Sequence, residues 1–119
     1  MVKVSDGDAC YLLFADYAAA SPEDCLPALS VVHRTRQWAV THVERLDPLD
    51  AASSAALDAW WVALVAAWRS GGPLPPPAEW TDLATRLRPI AAAGGCGFDM
   101  KPANAMRRGA SVVFIDPLN

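Results

Sequence analysis

Leu57, Trp60, Trp61, Leu64, Val65 and Trp68 recur at offsets 0, 3, 4, 7, 8 and 11. That is one face of a helix with 3.6 residues per turn. Ser70-Gly71-Gly72 stops it, and residues 73–77, with four prolines in five positions, form a stiff connection. A second amphipathic helix follows, with Trp80, Leu83, Leu87 and Ile90 on its apolar face. Pro89 is expected to bend or shorten it and Gly94-Gly95 to end it. Nearer the start, Asp8 is the expected N-cap of a helix over Ala9–Ala20, whose Leu12, Leu13, Phe14 and Tyr17 make no single clean stripe. Pro22 followed by Glu23 and Asp24 suits the first turn of a short second helix. Residues 29–33 and Trp38–Val43 read as strands around a polar hairpin loop at 34–37. In the second strand Trp38, Val40 and His42 share one face, and Ala39, Thr41 and Val43 the other. Residues 1–5 read as a short strand, 96–108 as a loop, and 111–115 as a closing strand.

A chain of 119 residues is the size of one small domain. Its 13 acidic and 10 basic residues give a net charge of −3, the wrong sign for a nonspecific nucleic-acid binder. An apolar fraction of 53% argues against disorder. A charged fraction of only 19% points to apolar surface covered by a partner or by a second copy, as in a homodimer. The longest uninterrupted apolar run, residues 59–68, is ten residues, half of what a membrane span needs, so no membrane partner is expected. Acidic residues within and around the first apolar stretch do not suit a signal peptide. Cys10, Cys25 and Cys96 are odd in number and widely spaced. They fit no zinc spacing and no disulfide framework, and read as reduced thiols of a cytoplasmic protein. His33 and His42 lack ligand-spaced partners. Trp60 and Trp61 diverge by roughly 100° around their helix, so one of them is expected to be partly exposed and available to an interface.

The chemistry-bearing stretch is Gly97-Phe98-Asp99-Met100-Lys101-Pro102-Ala103-Asn104, followed by Val112-Val113-Phe114-Ile115-Asp116-Pro117. An Asp is followed two residues on by a Lys and five residues on by an Asn, and a second Asp ends the apolar strand twelve residues later. Phosphoryl transfer from a nucleotide uses these groups: one carboxylate orients the attacking hydroxyl, while an amide oxygen and a second carboxylate hold magnesium on the phosphates. A loop followed by a short strand would bring Asp99, Asn104 and Asp116 to one spot. The bland alternative is that Asp99 and Asn104 only brace a turn and that Lys101 only balances Asp99.

These residues resemble the protein-kinase-like superfamily: residues 99–104 look like its catalytic loop and Ile115-Asp116-Pro117 like its metal-binding segment. The resemblance implies an α+β fold, a truncated kinase-like domain with a small antiparallel sheet packed with a helical pair. Residues 1–49 would be a small-lobe remnant and hinge, and residues 50–119 a helical large-lobe remnant within a single domain. It implies Asp99 and Lys101 at catalytic positions, Asn104 and Asp116 as magnesium ligands, Lys3 at the nucleotide phosphates, and Glu44 and Leu46 at the adenine. The pattern of residues 43–49 and 104–117 is similar to small kinase-like proteins of tailed phages.

The departures from the family pattern are specific. Gly97 stands where a histidine is usual, and Leu118 where a glycine follows the metal-binding segment. No glycine-rich loop precedes Lys3, and residues 8–20 hold no Glu to pair with it, only Asp16. The activation segment and later helices that seat a protein substrate do not follow. These losses imply a catalytically degenerate protein, without bound ATP or Mg2+, that binds and inhibits a host bacterial protein in the host cytoplasm. One alternative is an active minimal phosphotransferase or nucleotide binder using Mg2+ and ATP; another is a structural homodimer.

Overall fold

Asp8 starts the first helix as a side-chain cap: its carboxylate accepts the Tyr11 amide at 2.9 Å, satisfying one of the helix's free N–H groups. The computed structural model describes all 119 residues. They form an α+β fold in the order β1 (Val2–Asp6), α1 (Ala9–Ala20), β2 (Leu29–Arg34), β3 (Trp38–Val43), α2 (Ala51–Ser70), α3 (Ala78–Ala93), a 3-10 turn at Pro102–Asn104, β4 (Ala105–Arg108) and β5 (Ser111–Phe114).

The first three strands make an antiparallel sheet in the order β1-β3-β2. In the central strand β3, Ala39, Thr41 and Val43 are buried while Trp38 and His42 are exposed, the alternation that a half-buried strand requires. The sheet packs its inner face on α1. The three-stranded sheet meets α1 through β2 and β3, while the β4–β5 sheet packs on the α2–α3 pair, the Phe114 ring lying 5.9 Å from that of Trp60 and 6.4 Å from that of Trp80. The outer face keeps Val2, Val4, Val32 and Trp38 at the surface.

Leu57, Trp60, Leu64 and Ala67 are the buried stripe of α2. Asp50 caps its start through the Ser53 amide, and Gly71 ends it in the left-handed region at φ 70°, where glycine pays no side-chain penalty. By length and composition α2 could cross a membrane; in this fold its stripe faces the core. Helix α3 runs on to Ala93 through Pro89, so the proline does not shorten it. Pro89 is exposed, so water can reach the Thr85 carbonyl that the ring leaves without a donor. The two helices are joined at Trp60, whose indole N–H donates to the Thr81 hydroxyl at 3.0 Å. That hydroxyl donates in turn to the Pro75 carbonyl at 2.6 Å.

One cluster of 18 buried residues runs from Tyr11 and Phe14 through Leu57, Leu64 and Leu87 to Met100, Phe114 and Leu118, so both halves of the chain share a core.

Three expectations are corrected. Residues 22–28 form turns, not a helix, with Leu26 buried in the core. The stretch before residue 109 is not all loop, since Ala105–Arg108 pairs with Ser111–Phe114 as a hairpin. Cys10 and Cys96 are joined in a disulfide across 86 positions, leaving only the buried Cys25 as a free thiol. No spacing rule reports a link between a helix's first turn and a segment that far along the chain.

Candidate functional site

The β4–β5 hairpin carries Asn104 at its entrance and Asp116 just past its exit, and backbone bonds hold the two ends together. The Asn104 carbonyl accepts the amides of Ile115 at 3.0 Å and Asp116 at 3.4 Å. The segment before the 3-10 turn is also laced to the chain's last residues. Gly97 and Asn119 exchange both backbone bonds, at 2.6 and 3.1 Å, and the Asp99 amide donates to the Pro117 carbonyl at 2.8 Å. A Cβ at position 97 would lie 2.9 Å from Asn119 Oδ1, so a larger residue there would displace Asn119. Leu118 is buried in the core.

The Asn104 side chain donates from Nδ2 to the Asp99 carbonyl at 2.9 Å. Lys101 Nζ lies 3.1 Å from Asp99 Oδ2 in a half-exposed ion pair. Asp116 Oδ1 is the one buried side-chain oxygen or nitrogen in the protein without a hydrogen-bond partner. Burial pushes the Asp116 carboxyl above its ordinary range; the Lys3 charge opposes this, and the charges of Asp8 and Asp99 add to it. Backbone and side-chain bonds thus hold Asp99 and Asn104 to the segment around Asp116, and the charges of Lys3 and Asp8, from β1 and the α1 cap, act on its carboxyl.

Lys3 forms no salt bridge. Its ammonium sits 3.5 Å from the centroid of the Tyr11 ring. Asp16, the acid of α1, is turned to Arg34 at 3.5 Å. Glu44 is used structurally: its carboxylate accepts the Ala28 amide at 2.8 Å and both Nε and Nη2 of Arg108. The Arg108 hydrogen bonds hold the Glu44 carboxyl below its usual range, partly opposed by burial and aided by the Ala28 bond. Arg108 also donates to the carbonyls of Asp24 and Leu26, and Arg107 to that of Pro48. These two arginines brace β4 against the turns at Asp24–Leu26 and Pro48. Leu46 is half-buried, beside Asp47, whose backbone pairs with Arg107 at 3.0 and 2.8 Å. Sequence reasoning missed Tyr11 and Asp8 as neighbours of the centre. The only available signal was Asp8's place as a cap, which fixes Tyr11 one turn along, beside β1.

The donor set can be judged on chemical grounds. There is no cluster of three or more His, Cys, Asp or Glu side chains of the kind that cages a metal. One carboxylate and one amide oxygen is instead the sparse protein contribution typical of magnesium. An unpartnered buried carboxylate oxygen is costly, and a cation there would satisfy it, so the residues present fit a divalent ion.

No family model matches the chain, and neither curated proteins nor solved structures give a match.

Proposed function

We propose that this chain is a reduced kinase-like domain that binds a magnesium nucleotide and is degenerate as a phosphotransferase. The observation that carries the reading is Asp116 Oδ1, buried without a partner, with the charges of Lys3, Asp8 and Asp99 acting on its carboxyl. Asp116 and the Asn104 amide would hold the ion, which, when bound, supplies charge neutralisation of the phosphates. Lys3 would add a second positive charge. Asp99 stands where an acceptor hydroxyl would be oriented. Degeneracy is supported by Gly97 backed onto Asn119 and by the acid of α1, Asp16, being turned to Arg34.

Thermal unfolding with Mg·ATP, on the wild type and Asp116→Ala, tests this reading. Ligand at one hundred times its dissociation constant stabilises by about 2.7 kcal/mol, and the shift should vanish in the variant. Labelled phosphate should reach neither the protein nor added acceptors. A wild type that ATP does not stabilise would overturn the binding claim; transfer abolished by Asp99→Asn would favour an active phosphotransferase.

The resemblance to phage proteins supports a second role that does not depend on the bound nucleotide: inhibition of a host bacterial protein by direct contact. The apolar outer face of the sheet, with Val2, Val4 and Val32 each about 60% exposed or more, is the surface that supports it. Inhibition of a captured bacterial enzyme that survives in Asp116→Ala but is lost in Val4→Lys would place the contact on the sheet; a structural homodimer would appear instead as a concentration-dependent doubling of mass.

A further inference from the structure

An ammonium held for use on phosphate must be kept in place without being neutralised. A carboxylate partner fixes a lysine by ion pairing, which cancels part of its field. An aromatic face fixes it through the ring quadrupole and leaves the net charge intact. Lys3 is half-buried on β1 and its Nζ lies 3.5 Å from the Tyr11 centroid, with no acid within salt-bridge distance.

The Tyr11 ring is itself immobilised. It is 2% exposed, belongs to the main core cluster and lies 6.2 Å from the Phe14 ring. Its backbone amide is fixed by the Asp8 cap. The Lys3 backbone is fixed by its pairing with Thr41 in the sheet, and its carbonyl also accepts the Thr41 hydroxyl at 3.4 Å.

We propose that Tyr11 is the positioning residue for Lys3, its ring doing the work of the missing carboxylate in α1 and keeping the ammonium directed at the anion bound beside Asp116. This rests on the nucleotide reading above. It assigns the first turn of α1, rather than the body of the helix, to control of the phosphate site. The phenol hydroxyl is not required, only the ring face.

Two measurements test it. In the free wild type, the Lys3 ε-methylene proton resonances should be shifted upfield by the ring current. The shift should persist in Tyr11→Phe and disappear in Tyr11→Leu; unshifted resonances in the wild type would contradict the contact outright. Calorimetric titration with Mg·ADP then separates positioning from packing. Tyr11→Phe should bind like the wild type and Tyr11→Leu about tenfold more weakly. In a Lys3→Met background, Tyr11→Leu should weaken binding no further. An equal loss in both backgrounds would mean that Tyr11 only packs. Binding as tight in Tyr11→Leu as in the wild type would overturn this inference alone, whereas a wild type that binds no Mg·ADP would overturn the nucleotide reading and this inference with it.

Discussion

The Asn104 amide nitrogen donates to the Asp99 carbonyl across five positions of chain, at 2.9 Å. This bond closes the turn that delivers both residues to Asp116, and it fixes the orientation of the amide. Asn104→Ala should therefore lose about 1 kcal/mol of stability, the ordinary worth of such a bond, and should lose magnesium-dependent nucleotide binding as well. Asn104→Asp keeps the volume but replaces the donor with a fourth negative charge, so it should be the less stable of the two. Urea denaturation of the three proteins gives the order.

Asp116 predicts an inversion of the usual effect of mutation. Its carboxyl titrates above the unfolded value because burial disfavours the charged form. A raised acid contributes stability below its unfolded pKa and loses it as pH rises through the folded pKa, so ionised Asp116 is a liability at neutral pH. Asp116→Asn should raise stability near pH 7, and the advantage should shrink in acid as the wild-type carboxyl takes up its proton. Denaturation midpoints that fall at neutral pH in the variant would show instead that Asp116 is a structural group.

Glu44 has the opposite sign. Arg108 holds its carboxyl low, so its contribution is present above the unfolded glutamate pKa and fades as pH falls through the depressed folded value. Glu44→Gln should remove part of the acid-dependent loss of stability, and the difference from wild type should be greatest at neutral pH. The pair is substantially exposed on the Arg108 side, so added salt should narrow that difference.

The disulfide predicts a thiol count. The oxidised native protein should show no rapidly reacting thiol, since Cys25 is buried and its pKa is pushed up to about 11, first by desolvation. Mild reduction should expose two reactive thiols, Cys10 and Cys96, both half-exposed. It should also lower stability by roughly 2–4 kcal/mol, because the link closes a long loop. Three slow thiols in the untreated protein would contradict the link.

Much of the framework was legible in the sequence for identifiable reasons. Leu57, Trp60 and Leu64 repeat at helical spacing, and the Trp38–Val43 alternation sorts its faces correctly. Asp8 announces its helix by chemistry rather than by stripe. What was hidden depends on tertiary closure. Strand β4 contains Met106, Arg107 and Arg108, an unremarkable run that becomes a strand because β5 and Asp47 flank it. The Cys10–Cys96 link and the contact of Lys3 with Tyr11 join points distant in sequence or set by a strand-to-helix turn, and no periodicity records them. At the candidate site, Asp99, Asn104 and Asp116 were visible as a spacing, while Asp8 and Tyr11 were not. Glu44 looked like a hinge residue, and only the fold shows it bound to Arg108.

The most direct test of the account is paramagnetic. With ADP present, Mn2+ substituted for Mg2+ should broaden the amide resonances of Asp99, Asn104, Asp116 and Lys3 first, and Asp116→Asn should abolish the effect. Broadening centred on the acidic turn at Glu23 and Asp24, or unchanged in the variant, would contradict a cation centre at Asp116.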